Sequence, residues 1–165
     1  MNQRFHRALY PAAMCIIIGA FAAPVSAADG TLVNVTLWDK GPEAKMSTDE
    51  GMGMMHASMA DSTMGVQLSK KSVKAGEVTF KVTNSAKGTV HEMLVVPAPA
   101  DGTLPYDEKE AKFDENKAGS LGEVEELQPG KSGNLTLNLK PGKYVLSCNV
   151  ANHYANGMWT MLIVK

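Results

Sequence analysis

The stretch that decides the fold lies near the carboxyl end of the chain and reads Cys148-Asn149-Val150-Ala151-Asn152-His153-Tyr154-Ala155-Asn156-Gly157-Met158. It follows a C-x4-H-x4-M pattern, so a thiol, an imidazole and a thioether fall within eleven residues. Apolar runs at 143–148 and 158–164 flank it, and each has the length of a β-strand. The pattern therefore occupies the connection between the last two predicted strands.

These three donors indicate a particular metal. Copper that changes between its cupric and cuprous states is well served by two imidazoles and one thiolate in a plane, with a long axial thioether. One imidazole is still missing, and a short loop cannot easily place two imidazoles and a thiolate around one ion. His91, at the start of the apolar run 90–96, is the candidate for the second imidazole.

Each of these residues also has a simpler interpretation. Cys148 and His91 are compatible with inert strand residues, His153 with a surface loop histidine, and Met158 with a core residue at the head of the last strand. The combination at this spacing favours a metal site over four separate structural roles. Zinc accepts thiolate and imidazole as well, but it gains little from a thioether, so Met158 favours copper.

Working outward, the rest of the chain reads as short strands separated by turn signals such as Lys74-Ala75-Gly76 and Lys140-Pro141-Gly142. Little helical periodicity is present, so we predict an all-β fold, a β-sandwich. The predicted strands are 31–38, 65–69, 77–83, 90–96, 134–139, 143–148 and 158–164.

Two segments do not fit as strands. Residues 39–64 contain almost no apolar residue except methionine and are too long for an ordinary connection. Residues 101–126 hold nine acidic residues against three lysines, which is typical of a solvated face, with a docking surface for a basic partner as the alternative. Within the acidic segment we predict one short helix over 106–117, because Pro105 precedes it and Gly119 follows it.

The methionine segment is a second candidate site. Its thioethers and one imidazole are Met46, Met52, Met54, Met55, His56, Met59 and Met64. Clustered thioethers suit cuprous copper, so additional Cu(I) is one interpretation, and a loop whose methionines pack over the protein surface is the other.

The amino terminus has the features of an export signal. Arg4 and Arg7 form a basic start, an apolar stretch follows over 8–23, and Val25-Ser26-Ala27 fits a cleavage site. We expect cleavage after Ala27, a mature domain over 28–165 and a periplasmic location. A membrane anchor is the alternative, but the apolar stretch is short and no second one follows, so we expect no membrane span after cleavage.

Composition excludes several classes of protein. The chain has 16 basic and 17 acidic residues, and removal of the leader takes away two arginines, so nucleic-acid binding is disfavoured. The mature sequence keeps three histidines and Cys148 as its one cysteine. A multicopper oxidase or a dicopper centre bridged by two thiolates cannot be built from that set.

The chain resembles the cupredoxins, the small blue copper proteins, over most of the mature sequence from Val66 onward. The C-x4-H-x4-M spacing is similar to that of rusticyanins, sulfocyanins and periplasmic cupredoxin-like copper-binding proteins. The resemblance implies a Greek-key sandwich and one type 1 copper with His91, Cys148, His153 and Met158 as its ligands. The chain departs from the common pattern at Glu92, where many members have Asn, and at Asn149, where Ser or Thr is common.

The expected function is one-electron transfer by a monomer that is not an enzyme, with a redox partner protein such as a cytochrome or oxidase. The alternative is a copper-resistance protein that sequesters copper or delivers it to a copper-handling partner, using the methionine segment for Cu(I). We expect electrons to leave through an exposed edge of His153, because its neighbours, Ala155 among them, carry no charge.

Overall fold

The structure, a computed structural model, describes residues 30–41 and 62–165. The predicted leader, 1–27, and most of the methionine segment, 42–61, lie outside the described residues. Within the described ranges the elements are β1 (Thr31–Asp39), β2 (Met64–Leu68), β3 (Ser72–Val73), β4 (Gly76–Asn84), β5 (His91–Pro97), β6 (Tyr106–Asp107), β7 (Lys112–Phe113), α1 (Glu115–Ala118), β8 (Gly122–Leu127), β9 (Ser132–Leu139), β10 (Gly142–Ser147) and β11 (Trp159–Val164).

The strands form two main sheets that pack face to face. One sheet has the order β2-β1-β4-β9, the other has the order β3-β11-β10-β5-β8, and β6 with β7 makes a small hairpin. The β1–β4 and β11–β3 pairs are parallel, and the other pairs are antiparallel. The predicted all-β, Greek-key sandwich is confirmed.

The core lies between the two sheets. Along β1, buried and more exposed residues alternate as the sequence predicts. Val33, Val35 and Leu37 are buried, whereas Leu32 on the other face is 48% exposed. Phe80 from β4 is fully buried in the same cluster, which also contains Cys148 and Met158. The candidate metal ligands are therefore anchored in the hydrophobic core.

The acidic segment differs from the prediction. The helix predicted over 106–117 is wrong in extent, because α1 covers Glu115–Ala118 and the residues before it pair as the β6–β7 hairpin. Phe113 in β7 is 2% exposed and its ring packs in a second core cluster, which fixes it in an extended backbone. Asp114 then starts the helix by accepting a hydrogen bond from Lys117 N–H at 3.0 Å, and Gly119, at φ 71°, ends it.

Strand β8 was not predicted from the sequence. It pairs with β5 at the edge of the five-stranded sheet, and only Val124 in it is buried. One buried side chain among three glutamates gives no alternating pattern to recognise, because an edge strand needs little apolar surface. Within the described part of the chain, no helix is long and apolar enough to cross a membrane.

Candidate metal centre

Three predicted ligands meet at one end of the sandwich. His91 is the first residue of β5, Cys148 follows β10 directly, and His153 lies in the connection to β11. His91 Nδ1 lies 3.2 Å from His153 Nδ1, and Cys148 Sγ lies 3.3 Å from the same His153 atom. One donor atom from each residue falls within 4.8 Å of the others, and all three residues are buried.

The connection between β10 and β11 folds back on itself through its own backbone. Cys148 N–H donates to the Met158 carbonyl at 3.0 Å, and Met158 N–H donates to the His153 carbonyl at 3.0 Å. Asn152 at φ 68° and Gly157 at φ 86° provide the left-handed turns that this path needs. The C-x4-H-x4-M spacing thus closes a compact loop with Met158, which is fully buried, at its end.

Glu92 and Asn149 connect the two sides of the centre. Glu92 N–H approaches Cys148 Sγ at 3.4 Å, and the Glu92 carboxylate accepts a hydrogen bond from Asn149 N–H at 3.0 Å. The Asn149 side chain in turn bonds both the N–H and the carbonyl of Phe113, at 2.9 Å each. The two positions at which the sequence departs from the common cupredoxin pattern are therefore the ones that join β5 to the loop.

Burial sets the protonation of the metal-free donors. It raises the pKa of the Cys148 thiol to about 12 and, together with the neighbouring His91, lowers the pKa of His153 to about 4. Burial also lowers the pKa of His91. Near neutral pH both imidazoles are uncharged and offer lone pairs, while binding a cation must release the thiol proton.

The prediction that His153 has an exposed edge is wrong, since the residue is 4% exposed. Its neighbour Tyr154 is also 4% exposed and packs against Phe113 at a ring distance of 5.4 Å. The tyrosine ring belongs to the second core cluster, so the loop is drawn inward. Ala155 remains partly exposed beside it.

Asp39, which no sequence pattern identifies as a site residue, faces this centre. Its carboxylate Oδ2 lies 3.3 Å from His91 Nε2. Asp39 ends β1, more than fifty residues before His91, and no spacing or local motif connects the two. Only the packing of the two sheets brings them together.

Residues of the methionine segment fall into two groups. Met64 is the first residue of β2, is 4% exposed and packs in the main core. The other six candidate Cu(I) ligands, Met46, Met52, Met54, Met55, His56 and Met59, lie outside the described residues. The segment joins β1 to β2 where Asp39 pairs with Met64, and Lys40 N–H donates to the Thr63 carbonyl at 2.8 Å.

The donor chemistry fits copper. Two imidazole nitrogens and one thiol sulfur, all buried and mutually close, match the planar set of a type 1 centre, and buried Met158 belongs to the same core cluster as Cys148. A nitrogen–nitrogen separation of 3.2 Å is compatible with two ligands that each lie about 2 Å from one ion. No rearrangement of these side chains is needed to offer the three donors together.

Comparison with known proteins agrees with this assignment. None of the curated protein sequences matches the chain. The fold is similar to that of reduced auracyanin from Roseiflexus castenholzii, with TM-score 0.51 and 21% identity over 84% of this chain and 98% of the other. It is also similar to rusticyanin from Thiobacillus ferrooxidans, with TM-score 0.52 and 18% identity over 82% of this chain and 79% of the other. The sequence model of the cupredoxin-like domain matches residues 58–164, so the chain belongs to the cupredoxin-like family, and its cofactor is a type 1 copper.

Proposed function

We propose that the protein is a periplasmic one-electron carrier whose copper is held by His91, Cys148, His153 and Met158. The observation that carries the proposal is the convergence of one thiol and two neutral imidazoles in a buried centre, with His91 Nδ1 and His153 Nδ1 only 3.2 Å apart. Copper, when bound, supplies the one-electron couple. The chain supplies the donors and the environment around them.

Strand pairing and hydrogen bonds hold these donors in place. His91 belongs to a strand paired on one side with β8, and Cys148 and Met158 are joined by a backbone hydrogen bond at the ends of β10 and β11. Glu92 and Asn149 then fix the loop against β5. A centre with so little freedom resists rearrangement, which favours transfer of an electron over binding of a substrate.

Four protein donors around one ion leave no open position, so we propose a carrier and not an enzyme. The leader expected over 1–27 supports export to the periplasm, and the partner is a redox protein such as a cytochrome or oxidase. The acidic side chains of segment 101–126 are exposed or half-exposed, as a solvated surface requires. We propose that the carrier is a monomer.

Loading the purified mature protein with cupric ion tests this function. We expect an intense visible band from thiolate-to-copper charge transfer, which a mild reductant bleaches, and one copper per chain. Cys148→Ser should abolish the band, whereas Ser147→Ala, a change at the preceding buried residue, should retain it. A wild-type spectrum with only weak bands would contradict the type 1 centre.

One observation favours a second function, copper resistance by sequestration or delivery. The methionine segment leaves the sandwich at Asp39 and returns at Met64, and Asp39 itself contacts His91, so both ends of the segment lie beside the proposed copper ligands. Segment and centre would be suited to passing copper from one to the other.

A cuprous titration separates the two functions. For the resistance function we expect more than one equivalent of Cu(I), and the excess should persist at acidic pH because thioethers do not titrate. Replacing Met52, Met54, Met55 and Met59 together by Leu should remove the excess and leave the visible band unchanged. The matched control is Met161→Leu in β11. Binding that stops at one equivalent would leave electron transfer as the function.

A further inference from the structure

A buried carboxylate faces the ring nitrogen of His91 that is turned away from the other donors. Asp39 Oδ2 lies 3.3 Å from His91 Nε2, and the two side chains are 5% and 0% exposed. Neither atom has a different hydrogen-bonding partner in the described part of the chain, and the alignment of this pair falls short of an ideal hydrogen bond.

Among the described residues, this oxygen of Asp39 has no other hydrogen-bonding partner. The other oxygen, Oδ1, accepts a hydrogen bond from Gly41 N–H at 3.0 Å, in a turn that follows β1. Asp39 belongs to the four-stranded sheet and His91 to the five-stranded sheet, so the contact joins the two layers at the candidate centre. A carboxylate that is nearly out of contact with water is costly unless it meets a donor.

The contact has a consequence for the tautomer of His91. A neutral imidazole carries a proton on one nitrogen and a lone pair on the other. If Nε2 carries the proton toward Asp39, Nδ1 is left with its lone pair facing His153 Nδ1 and the thiol. The opposite tautomer would place a proton where the ion must bind and a lone pair against the carboxylate.

We propose that Asp39 is a positioning residue for the copper centre, accepting a hydrogen bond from Nε2–H of His91 and placing a negative charge beside the ion. This rests on the copper site proposed above. The charge stabilises the cupric state more than the cuprous state, because the cupric centre has one more positive charge. Asp39 thereby strengthens cupric binding and lowers the reduction potential.

The first test uses the metal-free wild-type protein and needs no variant. Long-range ¹H–¹⁵N correlation spectra show which nitrogen of each histidine carries the proton. We expect His91 to be protonated at Nε2 and unprotonated at Nδ1. Protonation at Nδ1 would overturn the proposal.

The second test uses Asp39→Asn, which keeps the size of the side chain and removes its charge. We expect cupric affinity to fall 10- to 100-fold with a smaller loss for cuprous copper, so the reduction potential should rise. Asp101→Asn, the same change at an exposed position of the β5–β6 connection, should behave as wild type. Equal potentials for Asp39→Asn and wild type would overturn the proposal.

The two tests keep this inference separate from the proposed function. If wild-type protein gave no charge-transfer band, the type 1 centre would fail. Nε2 protonation of His91 in the metal-free protein would still support positioning by Asp39, and Nδ1 protonation would still overturn it.

Discussion

The two sides of the candidate centre are built in different ways. On the loop side, Cys148, His153 and Met158 fall within eleven residues, and backbone hydrogen bonds inside that stretch hold them together. On the strand side, His91 is positioned by Asp39, which belongs to the opposite sheet, and its neighbour Glu92 reaches across to Asn149. Local spacing thus encodes one side of the site, whereas the other side depends on the assembled sandwich.

Because His91 contacts Asp39 of the opposite sheet, we expect the strand side to contribute more to folding. His91→Ala leaves a cavity in the core and removes the group facing the Asp39 carboxylate. We expect it to lower the free energy of unfolding of the metal-free protein by about 2–4 kcal/mol. His153→Ala, in a loop held by its own backbone, should cost about half as much.

Urea unfolding of the metal-free variants at pH 7 measures this difference. Circular dichroism and tryptophan fluorescence should give coincident transitions if unfolding is two-state. An equal or larger loss for His153→Ala would show that the loop side is the more important one for stability.

Glu92 and His153 make stability depend on pH in opposite directions. Burial raises the pKa of Glu92 from 4.5 to about 7, so its contribution to stability is full below pH 4.5 and is lost as pH rises through 7. His153 acts oppositely, since its pKa is lowered to about 4 and its contribution is lost as pH falls from 6.5 through 4. In the wild type the two contributions offset each other over much of this range.

Glu92→Gln should remove one of these contributions. We expect the metal-free variant to be more stable than wild type at pH 8, on the order of 2 kcal/mol, and similar to it at pH 4.5. Its stability should therefore fall more steeply on acidification. Glu126→Gln, at an exposed position of β8, is the control, and parallel curves for Glu92→Gln and wild type would count against the buried carboxylate.

Substitutions of Met158 test the loop side, and we expect them to have the smallest effect on folding. A Leu substitution conserves volume, so the stability cost should stay below about 1.5 kcal/mol. Because an axial thioether binds weakly, Met158→Leu should keep the visible band and raise the potential, whereas Met158→Gln should lower it by offering a harder oxygen donor. Voltammetry measures both variants against Met161→Leu, and three equal potentials would place the axial ligand elsewhere.

The sequence could predict the features that repeat at short range. Alternation in β1 and the C-x4-H-x4-M spacing identified the sandwich and three of the four proposed ligands, and His91 followed from the need for a second imidazole. The edge strand β8 gave no signal because only Val124 in it is buried. The helix predicted over 106–117 was too long, because Phe113 is buried against residues distant in sequence and this packing decides the local conformation.

Contacts between distant segments account for what was missed at the site itself. Asp39 carries no local sign of its role, because its partner lies on another sheet. The sequence named Glu92 and Asn149 as departures from the common family residues, but their hydrogen bond joins β5 to a loop far along the chain. Side-chain polarity could be read from the sequence, but the partner of each polar group could not.

We propose that one copper ion is held from both sides of this centre. Diffraction from crystals of the copper-loaded protein, measured at wavelengths on either side of the copper absorption edge, tests it most directly. We expect one anomalous peak within bonding distance of His91 Nδ1, His153 Nδ1 and Cys148 Sγ, with the Met158 sulfur at a longer distance. A copper peak bound by the loop residues without His91, or one located outside this centre, would contradict it.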